Sequence, residues 1–184
     1  QALALMNHPN IARVFDAGAD ETGHPWFAME LVPGVPLTDY CDGERLGTRA
    51  RLELFLQLCD AIEHAHQKGV IHRDLKPSNV LVGGHGGERV LKVIDFGIAK
   101  ALDPGVPVGG DMTRTGHVVG TPSYMSPEQA GAIPAPVDTR SDVYALGVML
   151  YELLCGTRPF EPSGEEVSPL EIHRTLGERE PQRP

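Results

Sequence analysis

The chain has 184 residues, of which 41% are hydrophobic and 22% charged, and its formal net charge at pH 7 is −9. This composition is ordinary for a globular protein, and the length suits one domain with a full core. Because nucleic acids and anionic membranes are bound through clustered positive charge, the acidic balance argues against either as the main partner. Three widely spaced cysteines predict neither a disulfide framework nor a zinc site, and no apolar run reaches membrane-spanning length.

The first third of the chain predicts a helix end, two strands and a long helix. Residues 1–7 are expected to finish a helix that His8-Pro9-Asn10 breaks. Apolar runs at 11–17 and 26–32 predict a β-hairpin, and residues 33–36 (Pro-Gly-Val-Pro) predict a stiff connector. From residue 48 to 68, apolar side chains recur with helical spacing, and Gly69 ends the predicted helix.

A glycine-rich stretch, residues 83–87, lies between two short β-rich runs at 80–82 and 90–94. Glycine clusters also form phosphate-binding loops, but this one lacks their spacing, and a strand rather than a helix follows it. We therefore expect a hairpin turn. Residues 96–125 are rich in Gly, Pro and Thr, which predicts a long irregular segment of the kind that is usually functional.

Three helices are predicted in the remainder of the chain. Ser126-Pro127-Glu128-Gln129 has the pattern of a capping box and opens a short helix. Residues 141–155 are apolar nearly all round, which predicts a buried helix that Gly156 ends. A second capping pattern at Ser168 opens a last helix to about residue 176.

Three motifs in the chain carry chemistry. The stretch His72-Arg73-Asp74-Leu75-Lys76-Pro77-Ser78-Asn79 is followed by Asp95-Phe96-Gly97, and then by Ser126-Pro127-Glu128. In this order and spacing they resemble the catalytic loop, the metal-binding motif and the Ala-Pro-Glu motif of eukaryotic-type (Hanks-type) Ser/Thr protein kinases. The resemblance covers essentially the whole chain and is strongest to the bacterial members of that family.

The resemblance implies an α+β, two-lobe kinase fold in three parts. Residues 1–32 would be a remnant of the N-lobe (the end of helix C and strands 4–5), 33–36 the hinge, and 37–184 an incomplete helical C-lobe. The family's Gly-rich loop, third-strand lysine and helix-C glutamate are expected before Gln1, and the arginine partner of Glu128 after Pro184. We therefore expect a piece of a longer chain, with little activity on its own.

The implied reaction is transfer of the ATP γ-phosphate to Ser or Thr hydroxyls of proteins. Asp74 would orient the acceptor hydroxyl and take its proton, and Lys76 would contact the γ-phosphate. Asn79 and Asp95 supply oxygen ligands that suit Mg²⁺, with Mn²⁺ as an alternative. In the family, a threonine at the position of Thr121 bonds back to the catalytic Asp and Lys.

The nucleotide base is expected at residues 29–32, which resemble the family's gatekeeper and the start of its hinge, where backbone groups would bind adenine, with Leu81 beneath it. The predicted ATP site comprises Met29, Glu30, Val32, Leu81, Lys76, Asn79 and Asp95. The hinge residues and Leu81 could also be ordinary strand and core residues, and the two roles are compatible. The family's structural positions are matched by His72, Phe96, Gly97, Glu128 and Asp142. Asp142 would anchor the catalytic loop, although an acidic residue near a helix N-terminus is also favourable in itself.

Regulation is suggested by Arg73, which precedes the catalytic aspartate. In such kinases a phosphothreonine pairs with this guanidinium and orders the activation segment. Thr113 and Thr115 resemble the autophosphorylated Thr-x-Thr of bacterial kinases. The alternative is that both are ordinary solvated threonines of a loop.

The expected partners are protein substrates and a second copy for autophosphorylation, with no nucleic acid and no membrane segment in this chain. We expect a cytoplasmic location, or anchoring through a segment elsewhere in the full protein. A non-catalytic scaffold is disfavoured because Asp74, Asn79 and Asp95 are all present. A small-molecule phosphotransferase is disfavoured by Arg73 and Lys76, together with Thr121 and the Ser-Pro-Glu motif.

Overall fold

The computed structural model describes residues 6–22, 24–84, 89–96, 111–112, 118–119, 122–131 and 133–160. Helices and small antiparallel sheets alternate along them, an α+β architecture. The chain divides into two compact units, residues 1–103 and 104–184. Within the described parts, no helix is both long enough and apolar enough to cross a membrane.

The first unit begins with the predicted hairpin, formed by strands β1 (Val14–Ala19) and β2 (Pro25–Met29). Both strands are shorter than predicted, and the first begins later because residues 10–12 run beside a later strand instead. There the Ala12 N–H donates to the Val93 carbonyl (2.9 Å), and the Val93 N–H donates to the Asn10 carbonyl (2.8 Å). The predicted helix end is wrong at residues 6 and 7, which are not helical, and residues 1–5 lie outside the described part.

A three-stranded antiparallel sheet follows, in the order β3 (Val35–Pro36), β4 (Val80–Gly83) and β5 (Val90–Val93). β4 and β5 form the expected hairpin, although residues 85–88 of its turn lie outside the described part. Strand alternation sends one set of side chains into the core and the other to the opposite face. The buried set is Val80, Val82, Leu91 and Val93, whereas Leu81 and Lys92 face the other way.

β3 was not predicted, because residues 33–36 were expected to be a connector only. The connector lies directly against β4, and two glycines make this approach close. A Cβ at Gly83 would stand 2.2 Å from the Pro33 carbonyl oxygen, and one at Gly34 would stand 2.8 Å from the Val82 oxygen. Any side chain there would force the two backbones apart.

Two helices contact this sheet, α1 (Leu37–Gly43) and α2 (Thr48–Gln67). α1 was not predicted, since seven residues give too little periodicity to detect. α2 confirms the predicted helix and ends where Gly69 adopts φ +74°, although Leu52 and Leu56 of its predicted apolar stripe are exposed. Its inner face is buried through Leu54, Phe55, Leu58, Ala61, Ile62 and Ala65.

The second unit contains a two-stranded pair, β6 (Asp111–Met112) and β7 (Val118–Val119), in a segment predicted to be irregular. A 3₁₀ turn (Pro122–Tyr124) and the helix α3 (Thr139–Cys155) follow. α3 begins two residues before its predicted start, because the Asp138 side chain caps it by accepting the Arg140 N–H (2.9 Å). It ends as predicted at Gly156, with φ +73°. The helix expected at 168–176 lies outside the described residues.

Two helix predictions in this unit need correction. Ser126–Gln129 opens a hydrogen-bonded turn rather than a helix, although Gln129 does reach back to the Ser126 N–H (3.2 Å). The chain cannot continue as a helix because Gly131 adopts φ +69° after a single turn. α3 is not buried all round, since Val143 and Leu154 are exposed.

Candidate active site

His72 anchors the loop between α2 and β4 to the residues around Asp95. The imidazole is fully buried; its Nδ1 accepts the Asp74 N–H (3.3 Å) and its Nε2 lies 3.0 Å from the Ile94 carbonyl oxygen. A ring that carries its proton on Nε2 satisfies both bonds. The ring also packs against Phe96, with centroids 4.6 Å apart. One side chain therefore connects the backbone of Asp74 to both neighbours of Asp95.

Asp74 is held by two side chains of its own loop. Its Oδ2 lies 2.9 Å from Lys76 Nζ, and Asn79 Nδ2 donates both to the Asp74 carbonyl (2.8 Å) and to Oδ2 (3.2 Å). The loop reaches β4 through the 3₁₀ turn Pro77–Asn79, which buries Asn79. The Asp74 side chain nevertheless keeps 48% of its surface exposed. The carboxylate is thus fixed in orientation and open to an incoming group.

Asp95 is brought beside this loop by backbone pairing, because the Ile94 N–H donates to the Asn79 carbonyl (2.9 Å). Asp95 is exposed and adopts φ +56°, and Arg73 on the catalytic loop adopts φ +67°. Left-handed backbone costs a non-glycine residue about 1 kcal/mol or more, and it concentrates at functional sites. One of the two strained residues precedes the predicted base Asp74, and the other is the predicted metal ligand Asp95.

Asn79 and Asp95 fit a magnesium ion that arrives with a nucleotide. Because Asn79 Nδ2 is engaged with Asp74, its amide oxygen is the atom that remains to bind a cation. Among the described residues, no group of three or more His, Cys, Asp or Glu side chains forms a metal cage. One carboxylate and one amide oxygen instead match Mg²⁺, which takes few protein ligands and completes its shell with phosphates and water.

The predicted adenine side lies in the same unit. Met29 ends β2, Val32 before the connector is half-buried, and Leu31 just before Val32 is 90% exposed. Leu81 lies on the sheet face opposite the core, directly across from Lys92. The hinge segment and Leu81, the residue expected beneath the base, thus belong to two elements whose backbones lie close together at Gly34 and Gly83.

The Glu30 side chain makes contacts that the sequence reasoning missed. Its carboxylate pairs with Lys92 Nζ at 2.8 Å, and Oε2 also accepts the Arg13 N–H (3.2 Å). The hydrogen bond from Lys92 lowers the pKa of Glu30 below its usual range, against the opposing effect of burial. The available signal was the alternation in β5, which points Lys92 away from the core.

In the second unit, the segment after β7 is bonded to α3 and to the residues that follow α3. The Tyr124 hydroxyl donates to Glu152 Oε2 (2.6 Å), and Arg158 Nη1 donates to Ser123 Oγ (2.9 Å). Burial and the bond to Glu152 raise the pKa of Tyr124 well above its usual value. Sequence reasoning missed Glu152 and Arg158, because neither lies in a short motif.

Glu128 and Asp142 lie in the same unit. Glu128 accepts a hydrogen bond from the Ser141 hydroxyl at the start of α3. Burial alone would raise the pKa of Glu128, but this bond and others from the turn outweigh it and lower the pKa. Asp142 is fully buried in the first turn of α3. Its predicted role in anchoring the catalytic loop stays a prediction.

Four predicted site residues, Gly97, Thr113, Thr115 and Thr121, lie outside the described part of the chain. The assignments that rest on them, threonine phosphorylation and the contact of Thr121 with the catalytic loop, stay predictions.

The protein kinase domain family matches residues 1–180 of the chain. The chain is 44% identical over 165 residues to the serine/threonine-protein kinase PknB of Mycolicibacterium smegmatis, covering 87% of this chain and 25% of that protein. It is 43% identical over 165 residues to the serine/threonine-protein kinase Pkn1 of Myxococcus xanthus, covering 89% and 23%. The chain thus spans about a quarter of the length of these relatives.

Solved structures give the same fold. The Mycobacterium tuberculosis PknI kinase domain matches with a TM-score of 0.65 at 28% identity, over 91% of this chain and 58% of that one. Rad53 residues 1–466, solved in complex with AMP-PNP, match with a TM-score of 0.66 at 27% identity, over 95% and 40%. The chain therefore belongs to the protein kinase family. Its similarity to bacterial serine/threonine-protein kinases confirms the resemblance found in the motifs.

Proposed function

We propose that the protein containing this chain is an ATP-dependent protein kinase that phosphorylates Ser and Thr hydroxyls. The observation that carries the proposal is the arrangement of Asp74, Lys76 and Asn79 within hydrogen-bonding distance of one another, beside Asp95. In this arrangement the proposed general base, a cation and one proposed metal ligand lie within bonding distance, with the second proposed metal ligand beside them.

Asp74 is the proposed general base. Its carboxylate accepts the proton of the substrate hydroxyl while that oxygen forms a bond to the γ-phosphorus, and the bond from that phosphorus to the bridging oxygen breaks to release ADP. Asn79 holds Oδ2 in place, so the carboxylate need not reorganise when the hydroxyl arrives. Exposure of the carboxylate leaves room for a side chain of another protein.

Lys76 and the metal ligands address the negative charge of the triphosphate. Lys76 Nζ lies 2.9 Å from the base, so its charge sits where the transferred group must pass. When bound, Mg²⁺ would neutralise phosphate charge, and the residues positioned to hold it are Asn79 and Asp95. Mn²⁺ suits the same oxygen ligands.

A protein substrate is favoured by the segment that follows the predicted phosphorylation sites. Bonds from Tyr124 to Glu152 of α3 and from Arg158, just after α3, to Ser123 hold this segment in place, giving a surface that a polypeptide can meet. Phosphorylation of Thr113 and Thr115, pairing of that phosphate with Arg73, self-association and a cytoplasmic location stay predictions.

The test is transfer of labelled γ-phosphate by the full-length protein with Mg²⁺, followed by identification of the labelled residues. Asp74→Asn removes the base while keeping its size and should reduce transfer roughly 100-fold or more. Asp39→Asn, an exposed aspartate of α1, is the matched control and should leave transfer unchanged. Label on a small molecule rather than on Ser or Thr would reject a protein substrate, and equal transfer by wild type and Asp74→Asn would reject the assigned base.

A further inference from the structure

The Glu30 carboxylate joins three separate segments of the chain. Oε1 lies 2.8 Å from Lys92 Nζ, and Oε2 accepts from both Lys92 Nζ (2.9 Å) and the Arg13 N–H (3.2 Å). The Glu30 N–H in turn donates to the Arg13 carbonyl (2.8 Å). The segment after residue 10, the hinge and β5 therefore meet at this one side chain.

The pair is partly buried, with 29% of the Glu30 side chain and 19% of the Lys92 side chain exposed. Burial strengthens the attraction between opposite charges, because less water screens them. An ammonium bonded to both oxygens of the carboxylate, together with a backbone N–H, leaves Glu30 little rotational freedom. Glu30 and Lys92 thus form a partly buried contact with several bonds rather than an isolated ion pair on the surface.

The location of the pair connects it to both halves of the predicted ATP site. Lys92 stands across from Leu81 on β5, three residues before Asp95. Glu30 directly follows Met29 at the start of the hinge. One ion pair therefore links the hinge to the strand that leads to the metal-binding aspartate.

We infer that Glu30 and Lys92 form a positioning pair that holds the hinge backbone in the shape that receives adenine. The inference rests on the proposed kinase function and adds two positioning residues to it. Neither charge contacts Asp74, so the pair should act on nucleotide affinity rather than on the transfer step. Breaking it frees the hinge, and bound adenine must then supply the ordering that the pair supplied before.

The test is a double-mutant cycle on the full-length protein, with steady-state transfer measured against ATP concentration. Lys92→Met keeps the length of the side chain but removes its charge, and Glu30→Gln removes the opposite charge. Each should raise the ATP KM roughly fivefold, equivalent to about 1 kcal/mol, while changing kcat less than about twofold. The double variant should be no worse than either single one, because the same interaction is lost once.

Two further variants separate positioning from a general structural effect. Lys92→Arg keeps the positive charge and should therefore retain most of the wild-type ATP affinity, whether or not Lys92→Met lowers the stability of the protein. Lys68→Met removes an exposed lysine just after α2 and should leave KM unchanged.

An ATP KM for Lys92→Met equal to that of wild type, or effects of the two single variants that simply add, would overturn the inference. A wild-type protein that shows no ATP-dependent transfer would instead refute the proposed function on which it rests. The two failures are therefore distinguishable in one data set.

Discussion

Adding one methyl group at Gly83 should push the connector, residues 33–36, away from β4. In Gly83→Ala the new Cβ would stand 2.2 Å from the Pro33 carbonyl oxygen, whereas ordinary contact begins at 3.4 Å. The obstacle is backbone, so no side chain can rotate to relieve the clash. The two backbones must separate by more than 1 Å at the point where β3 and β4 pair.

Two opposing effects determine how Gly83→Ala changes the free energy of unfolding. Overpacking of this kind typically destabilises a protein by about 1–3 kcal/mol. Replacing glycine also reduces the freedom of the unfolded chain, which returns about 0.4–1 kcal/mol. We expect a net loss of about 1–2 kcal/mol in the free energy of unfolding, or roughly 2–8 °C in melting temperature. Thermal unfolding of the full-length variant measures it.

Gly43→Ala is the matched control for this substitution. Gly43 is the last residue of α1, its φ is not positive, and no described atom lies within 4 Å of an added Cβ. Alanine there should be neutral or should stabilise by about 0.5–1 kcal/mol. A melting temperature for Gly83→Ala equal to or above that of Gly43→Ala would refute the steric reasoning. Gly83→Ala should also raise the ATP KM, since the displaced connector directly follows Val32 of the predicted ATP site.

Three further predictions concern other parts of the chain. Burial and the neighbouring His64 lower the pKa of His8 below 6.5, so the unfolded chain binds a proton at this side chain more readily than the folded chain does. The free energy of unfolding should therefore fall as the pH drops below 6.5, and it should fall less in His8→Asn. Tyr124→Phe removes the donor to Glu152 and should cost about 0.5–1.5 kcal/mol in the free energy of unfolding, measured by denaturant titration. Asn79→Ala removes two bonds to the catalytic loop and should lower kcat roughly 100-fold or more in the transfer assay.

Each of these has a clear contrary result. Identical pH profiles for wild type and His8→Asn between pH 7 and 5 would show that the histidine contact (5.1 Å between centroids) carries no linkage to protonation. A free energy of unfolding for Tyr124→Phe equal to that of wild type would mean that water replaces the bond to Glu152 without cost. Full kcat in Asn79→Ala would remove this residue from the catalytic assignment.

The long elements and the motif order were predictable because their signals are local and strong. The apolar spacing from residue 48 to 68, followed by Gly69, predicted the bounds of α2 to within one residue. The β4–β5 hairpin was predicted from its two β-rich runs and the glycines between them. Asp74, Lys76 and Asn79 of the predicted catalytic loop lie within bonding distance of one another, and their catalytic roles stay predictions. These are cases in which neighbours in sequence determine the geometry.

The missed features depend on contacts between distant residues. Lys92 and Glu30 are 62 positions apart, and only the pairing of three segments brings them together. β3 exists because two glycines let the connector approach β4, which no short pattern reveals. The turn after Ser126 had a helix start signal, but Gly131 stopped the helix before it could propagate.

The most direct test of the whole account compares Asp74→Asn with Asp95→Asn in two assays on the full-length protein. Calorimetric titration with Mg²⁺ and the non-hydrolysable analogue AMP-PNP measures binding, and label transfer measures catalysis. If Asp74 is the base and Asp95 holds the metal, Asp74→Asn should keep the affinity within about twofold and lose transfer. Asp95→Asn should lose both the Mg²⁺-dependent affinity and the transfer. Transfer that persists in Asp74→Asn, or Mg²⁺-dependent affinity that persists in Asp95→Asn, would contradict the account.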